Sequence, residues 1–164
     1  METLGVLSDS HIRPGTGGLP RSVFRAFEGV DRIIHCGDIT SLEVIGELSA
    51  LAPVLAVHGN MDPYETAAAL PLCRLFRVGS FSIGITHGAG SRDALKNARK
   101  AFRDSRPDLV LYGHSHCPGE IRKEDTLYFN PGSPTRPRGT EQGTVGIVRL
   151  GETIRCEIVY LEEK

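Results

Sequence analysis

Leu4-Gly5-Val6-Leu7-Ser8-Asp9-Ser10-His11 begins as a short apolar run and breaks into two metal-ligating residue types one position apart. Too brief for a helix and rich in aliphatic types, the run reads as a buried strand. The pattern recurs: Arg32 to Cys36 leads into Gly37-Asp38, Val54 to Val57 into Gly59-Asn60, Phe81 to Thr86 into His87-Gly88, and Leu109 to Tyr112 into Gly113-His114-Ser115-His116. Every candidate ligand thus lies at or just past the C-terminal end of a strand, the edge of an α/β sheet where sites form. Gly37, Gly59, Gly88 and Gly113 accompany these motifs, where a chain leaving a strand must turn sharply or let backbone come close.

Helical periodicity fills the gaps between the early strands. Leu19, Val23, Phe24 and Phe27 share one face behind Pro20, a residue suited to a first turn. Thr40-Ser41-Leu42-Glu43 fits a capping box, followed by Leu42, Ile45 and Leu48 at helical spacing until Pro53 ends the segment. A third helix is expected from about Ser91 to Phe102, with Ala94, Leu95, Ala98, Ala101 and Phe102 inward and Arg92, Asp93, Lys96, Arg99 and Lys100 outward. The first half therefore reads β-α-β-α-β, which implies parallel pairing. Later, Thr126 to Phe129, Thr144 to Leu150 and the alternating Ile154 to Tyr160 read as strands separated by turns, for which antiparallel pairing is expected.

At 164 residues the chain suits one well-buried core, so residues 1–164 are expected to form a single domain. A hydrophobic share of 40% and a net charge of -1 argue against disorder and against the strong positive field of a general nucleic-acid binder. Met1 to Leu7 lacks a basic start, and Asp9 interrupts the apolar run before it reaches signal-peptide length; no stretch is long enough to span a membrane. Cys36, Cys73, Cys117 and Cys156 are far apart and form no Cys-x-x-Cys pair, as expected of reduced thiols in a cytoplasmic protein.

Singly, an Asp-x-His or a Gly-Asp is a common pair of residues; the ordered combination is specific. Imidazoles, carboxylates and an amide oxygen together suit manganese, iron, cobalt, nickel or zinc better than magnesium or calcium, which prefer all-oxygen shells; the donor set does not choose among the five, and manganese is the ion expected. Asp9-x-His11, Gly37-Asp38, Gly59-Asn60-Met61-Asp62, His87-Gly88 and Gly113-His114-x-His116 resemble the calcineurin-like metallophosphoesterase superfamily, over nearly the whole chain. The small size, the Gly-Asn-x-Asp form and Asn130-Pro131-Gly132-Ser133 look like its compact YfcE-like phosphodiesterase branch.

The resemblance implies a four-layer α/β/β/α sandwich of two mixed sheets flanked by helices. It also implies two divalent ions: Asp9, His11 and His116 on one, Asn60, His87 and His114 on the other, and Asp38 bridging them. Asp38, Asn60 and His114 are then the residues expected to carry catalysis, with a hydroxide between the ions attacking phosphorus in line, the ions roughly 3.5 to 4 Å apart. Met61 stands where the larger superfamily commonly has a histidine that assists the leaving group. Without it, departure is expected to depend on a good leaving group, on Asp62 or on water.

The stretch Asn130 to Arg138 reads as a turn-rich loop in which Asn130, Ser133 and Arg136 are candidates to hold substrate phosphate, the alternative being a proline-stiffened surface loop. His35 and His58 lie within or at the end of strands and are expected to pack or to support the ligands. The expected partner is a small phosphate-ester substrate, rather than a membrane or a nucleic acid, and self-association is left open. Two further functions stand beside this one: a non-catalytic protein-interaction scaffold like the retromer subunit of the same fold, against which the intact ligand set counts, and a nuclease, against which the near-neutral charge counts.

Overall fold

The computed structural model describes residues 1–162. The chain runs through β1 (Glu2–Leu7), α1 (Arg21–Ala26), β2 (Arg32–His35), α2 (Glu43–Ser49), β3 (Val54–Ala56), α3 (Tyr64–Ala69), β4 (Cys73–Val78), β5 (Phe81–Thr86) and α4 (Ala94–Ala101). It then continues through β6 (Leu109–Leu111), β7 (Gly119–Lys123), β8 (Thr126–Asn130), β9 (Thr144–Leu150) and β10 (Ile154–Tyr160). Ten strands form two sheets, ordered β10-β9-β1-β2-β3 and β4-β5-β6-β8-β7. Both are mixed: β1, β2 and β3 pair in parallel while β9 lies antiparallel to β1, and β5, β6 and β8 pair in parallel between antiparallel β4 and β7.

Side-chain alternation along the strands sorts the interior into layers. Leu4 and Val6 of β1, Ile34 of β2 and Val148 of β9 point inward and meet Ile83, Ile85, Leu109, Leu111, Leu127 and Phe129 from the opposing sheet. On the outer face of the first sheet, Leu7, Ile33, Val145 and Ile147 pack against Val23 and Phe27 at α1 and Val44 and Leu48 of α2. On the outer face of the second, Val110, Tyr112 and Tyr128 receive Ala94, Ala98 and Phe102 from α4 and its end. Helices, sheet, sheet and helix make the four-layer α/β/β/α sandwich expected.

Three elements escape sequence reading. β4 and β7 are the two edges of the second sheet, where charged and half-exposed residues blur the hydrophobic alternation; α3 is a brief Tyr-Glu-Thr-Ala-Ala-Ala turn. Three expectations are corrected. β8 and β9 follow one another in sequence but do not pair: β8 lies parallel to β6, and the chain then crosses to the other sheet, where β9 joins β1. The capping box at Thr40 does not form, because Thr40 adopts φ 67° and gives its hydroxyl to the Ile12 carbonyl at 2.6 Å. Ser41 instead accepts the Glu43 N–H at 3.3 Å. α4 begins later than Ser91, and the Asp93 carboxylate caps it by accepting the Lys96 N–H at 2.9 Å. No helix among the described residues is long and apolar enough to cross a membrane.

Candidate metal centre

The parallel strands of both sheets deliver their C-terminal ends to one edge of the sandwich. There the backbone does something unusual. Asp9 and His11 after β1, Asp38 and Thr40 after β2, and His114 and His116 after β6 all have φ between 45° and 69°, six of the eight non-glycine residues with positive φ among those described. L-residues avoid this region, and strain of this kind gathers at functional sites. The i, i+2 alternation lets adjacent loops bond one another: Asp9 N–H donates to Gly37 O at 2.9 Å and His11 N–H to Asp38 O at 3.1 Å. Gly113 has to lack a side chain, since a Cβ there would fall 2.6 Å from Asp9 Oδ2, an atom that instead accepts the His114 N–H at 2.9 Å.

These turns converge five side chains. Asp9 Oδ1 lies 3.3 Å from His116 Nε2, 3.7 Å from His87 Nε2 and 3.8 Å from His11 Nε2. Asp38 Oδ2 lies 3.2 Å from His87 Nε2 and 3.6 Å from His11 Nε2. The ligand atoms form two groups compact enough for an ion each, Asp9 with His11 and His116, and Asp9 with Asp38 and His87. The first is the triplet expected for one half-site. In the second Asp9 stands closer to His87 than expected, while Asn60 and His114 lie at the more exposed rim, joined through Asn60 Oδ1 and His114 Nδ1 at 3.1 Å.

The far nitrogens fix the near ones. His87 Nδ1 donates to Cys36 O at 2.8 Å and His116 Nδ1 to Arg136 O at 2.7 Å, which leaves each Nε2 with a lone pair aimed into the cluster. His11 Nε2 and His116 Nε2 then face each other at 3.3 Å. Asp9 Oδ1 and His87 Nε2 are fully buried without a hydrogen-bond partner. Buried polar atoms are otherwise almost always satisfied, so this is a donor set shaped for cations, and its mixture of nitrogen and carboxylate suits a transition metal.

Electrostatics run the same way. Burial pushes the Asp9 and Asp38 carboxyls up, but the neighbouring histidines, His116 and His87 foremost, outweigh it and hold both below the usual carboxylate value. Burial pulls His11 and His114 down, keeping their imidazoles neutral and able to ligate. Contact with Asp9 raises His116; for His87 burial opposes, yet Asp38 and Asp9 prevail and raise it. The carboxylates thus demand positive charge from their neighbours, a demand that a divalent ion meets more fully than a proton.

Support residues surround this centre. Asp62 accepts three backbone N–H groups, from Asp38 at 3.0 Å, Thr40 at 2.7 Å and Gly59 at 2.7 Å. These three bonds make the carboxylate an anchor for the loops after β2 and β3, engaged with backbone rather than turned to the open rim as a leaving-group acid would be. His35, completely buried, accepts the Gly37 N–H on Nδ1 at 3.2 Å and so presents Nε2–H to Ser10 Oγ at 2.9 Å; burial drives its pKa down to about 3. This is the supporting role expected. His58 turns its Nδ1 toward the Gly59 carbonyl at 3.4 Å.

The loop after β8 differs from expectation. Asn130 is buried and donates to Gly113 O and Ser115 Oγ, both at 3.0 Å, while its own oxygen accepts the Gly132 N–H. Ser133 is equally buried, donates to Asp9 O at 2.8 Å and accepts the Arg136 N–H at 2.9 Å. Neither side chain has a polar group left for substrate: they lace the β1 and β6 loops together. Of the three candidates only Arg136 is exposed. The Asp62 anchor and this lacing pass unread in sequence because both act on backbone groups; the Gly-Asn-x-Asp motif itself was the only signal for the first.

Residues 2–153 match the sequence model of the calcineurin-like phosphoesterase superfamily domain. A probable metallophosphoesterase of Methanothermobacter thermautotrophicus is 38% identical over 157 residues, covering 95% of this chain and 91% of its own. A phosphodiesterase of Methanocaldococcus jannaschii is 31% identical over 145 residues, covering 79% and 82% respectively. In three dimensions the Vps29 protein of Chaetomium thermophilum superposes with a TM-score of 0.78 over 99% of this chain and 100% of its own; at 19% identity that likeness concerns the fold.

Proposed function

This chain belongs to the calcineurin-like phosphoesterase superfamily and is a metal-dependent phosphoesterase, and we propose that it is a dinuclear phosphodiesterase whose ions are held by Asp9, His11, Asp38, Asn60, His87, His114 and His116. The observation that carries this reading is the pair of buried, unpartnered ligand atoms, Asp9 Oδ1 and His87 Nε2, set 3.7 Å apart among three further imidazole and carboxylate groups. Divalent ions there would supply Lewis acidity toward the phosphoryl oxygens and bring the pKa of the attacking water to about 7.

The protein's own part is positional. Asp9 belongs to both compact groups, and Asp38, with Oδ2 3.6 Å from His11 Nε2 and 3.2 Å from His87 Nε2, is the carboxylate assigned to be shared between the ions. Cys36 O and Arg136 O hold the His87 and His116 rings, and Asp62 fixes the Asp38 and Asn60 loops through their backbone. Asn60 and His114, at the open rim, are positioned to meet the phosphoryl group as well as an ion. Met61 is 59% exposed beside them and donates only its backbone N–H, to Asp38 Oδ1 at 2.8 Å. With Asp62 fully engaged, the leaving group takes its proton from water.

Turnover of a series of aryl phosphodiesters tests this reading. The protein loaded with manganese should hydrolyse them, lose activity to a chelator, and slow steeply as the leaving-group pKa rises. Absence of turnover with every divalent transition metal supplied, or a flat leaving-group dependence, would contradict it. The scaffold alternative predicts the first of those outcomes.

A further inference from the structure

Beyond the ligands, a large cavity opens directly from the centre. A groove of about 1230 Å³ starts at Asn60 and His87 and follows α4 past its C-terminal end to the β7–β8 turn. Its charge departs sharply from that of the whole chain. Six cations line it, Lys96, Arg99, Lys100, Arg103, Arg106 and Lys123, against two carboxylates, Glu124 and Asp125, whereas the chain as a whole has 20 acidic and 19 basic residues. Arg99 is paired with Glu124 at 3.6 Å and Arg103 with Asp104 at 3.7 Å. Among the described residues, Lys96, Lys100, Arg106 and Lys123 have no salt-bridge partner within 4.0 Å.

The floor is of another kind. Phe102 and Tyr128 line the groove, and at a rise of about 1.5 Å per residue the step from Lys96 to Phe102 carries the groove on the order of 9 Å along the helix. A neutral aryl or alkyl ester needs neither such length nor unpaired ammonium groups. An anionic substrate that continues past the phosphorus under attack uses both, since the groove gives it length and ammonium groups bind phosphate as point charges.

From this we propose that the substrate is a phosphodiester bearing at least one further phosphate, whose remaining portion lies along α4 with its additional charge on Lys96, Lys100 and Lys123. This rests on the phosphodiesterase reading and specifies its substrate class. Two sources share the chemistry, a phosphorylated dinucleotide and a longer single-stranded oligonucleotide. The near-neutral net charge that argues against nucleic acid at sequence level averages over the whole surface and conceals this one-sided strip.

The test compares kcat/KM of the metal-loaded protein for three probes: a bis-aryl phosphodiester with no other charge, a 5′-phosphorylated dinucleotide and a hexanucleotide. Each is measured over a range of salt concentrations in the wild type and in the Lys100→Gln/Lys123→Gln double variant. The proposal expects log KM for a charged probe to rise with log salt, and the slope to fall by about 1.4 in the double variant, about 0.7 for each phosphate contact removed. It also expects the preference for charged over uncharged probe to fall at least tenfold. A larger loss for the hexanucleotide identifies the longer strand as the source; equal losses identify the dinucleotide. Salt-independent KM with the aryl probe still cleaved overturns the groove proposal alone. Failure to cleave all three overturns the phosphodiesterase reading with it.

Discussion

The two sheets meet in two contrasting ways. Midway along the strands, Leu4, Val6, Ile34, Ile83, Leu109, Leu111 and Phe129 interlock as a dry interior. At the C-terminal edge, strands of the same sheets end in left-handed residues, unpaired buried polar atoms and two carboxylates held together. The first region stabilises; the second costs, with strained backbone conformations worth on the order of 1 kcal/mol or more apiece. Stability and function therefore separate along the strand axis, and the apolar interior is what lets the strained edge persist.

Substitutions can break that division. The largest stability effect is expected in the interior: Phe129→Ala should cost roughly 3 to 5 kcal/mol by leaving a cavity between the sheets, measured by urea unfolding of the metal-free protein. A loss under 1 kcal/mol would show that the interior is not what carries the edge. Next comes the anchor. Asp62→Asn should weaken metal affinity by about 10- to 100-fold, the usual consequence of disturbing a residue behind the ligands, read by competition with a chromogenic chelator. Unchanged affinity would mean that the three backbone N–H groups do not need a carboxylate.

His35 links both regions and offers a pH test. Its folded pKa of about 3 lies below an unfolded value of about 6.5, so between those values the unfolded chain binds a proton that the native chain does not. Its contribution is fully present above about pH 6.5 and is lost toward pH 3, at about 1.4 kcal/mol per pH unit. The difference in unfolding free energy between wild type and His35→Gln should have that slope within the window and none above it. A difference independent of pH would contradict a neutral, buried His35. The smallest effect is expected at the rim, where Met61→His should accelerate esters of poor leaving groups several-fold and leave good ones nearly unaffected.

Sequence reading reached the strands whose apolar runs are long and central, and it singled out the candidate ligands because each follows such a run: Leu7 to Asp9, Cys36 to Asp38, Tyr112 to His114. It failed where the signal is diluted or points to the backbone. β4 and β7 carry edge-strand charges. Thr40 looked like a helix cap but is spent on Ile12 in a left-handed turn. Asn130 and Ser133 looked like phosphate binders because amides and hydroxyls at a proline-glycine turn commonly are; only the fold shows their partners to be Gly113, Ser115 and Asp9. The left-handed φ values at Asp9, His11, Asp38, Thr40, His114 and His116 fall mostly on Asp and His, types that tolerate that region, but their i, i+2 alternation is set by how the loops bond one another and is not written in residue type.

The central claim is that the edge holds two ions through a shared Asp38. Metal content per chain, determined by elemental analysis alongside turnover of an aryl phosphodiester, tests it most directly. Two ions in the wild type are predicted, falling to one or fewer in Asp38→Asn together with a loss of turnover of roughly 10³-fold or more. An Asp38→Asn protein that keeps both ions and full turnover would contradict the account.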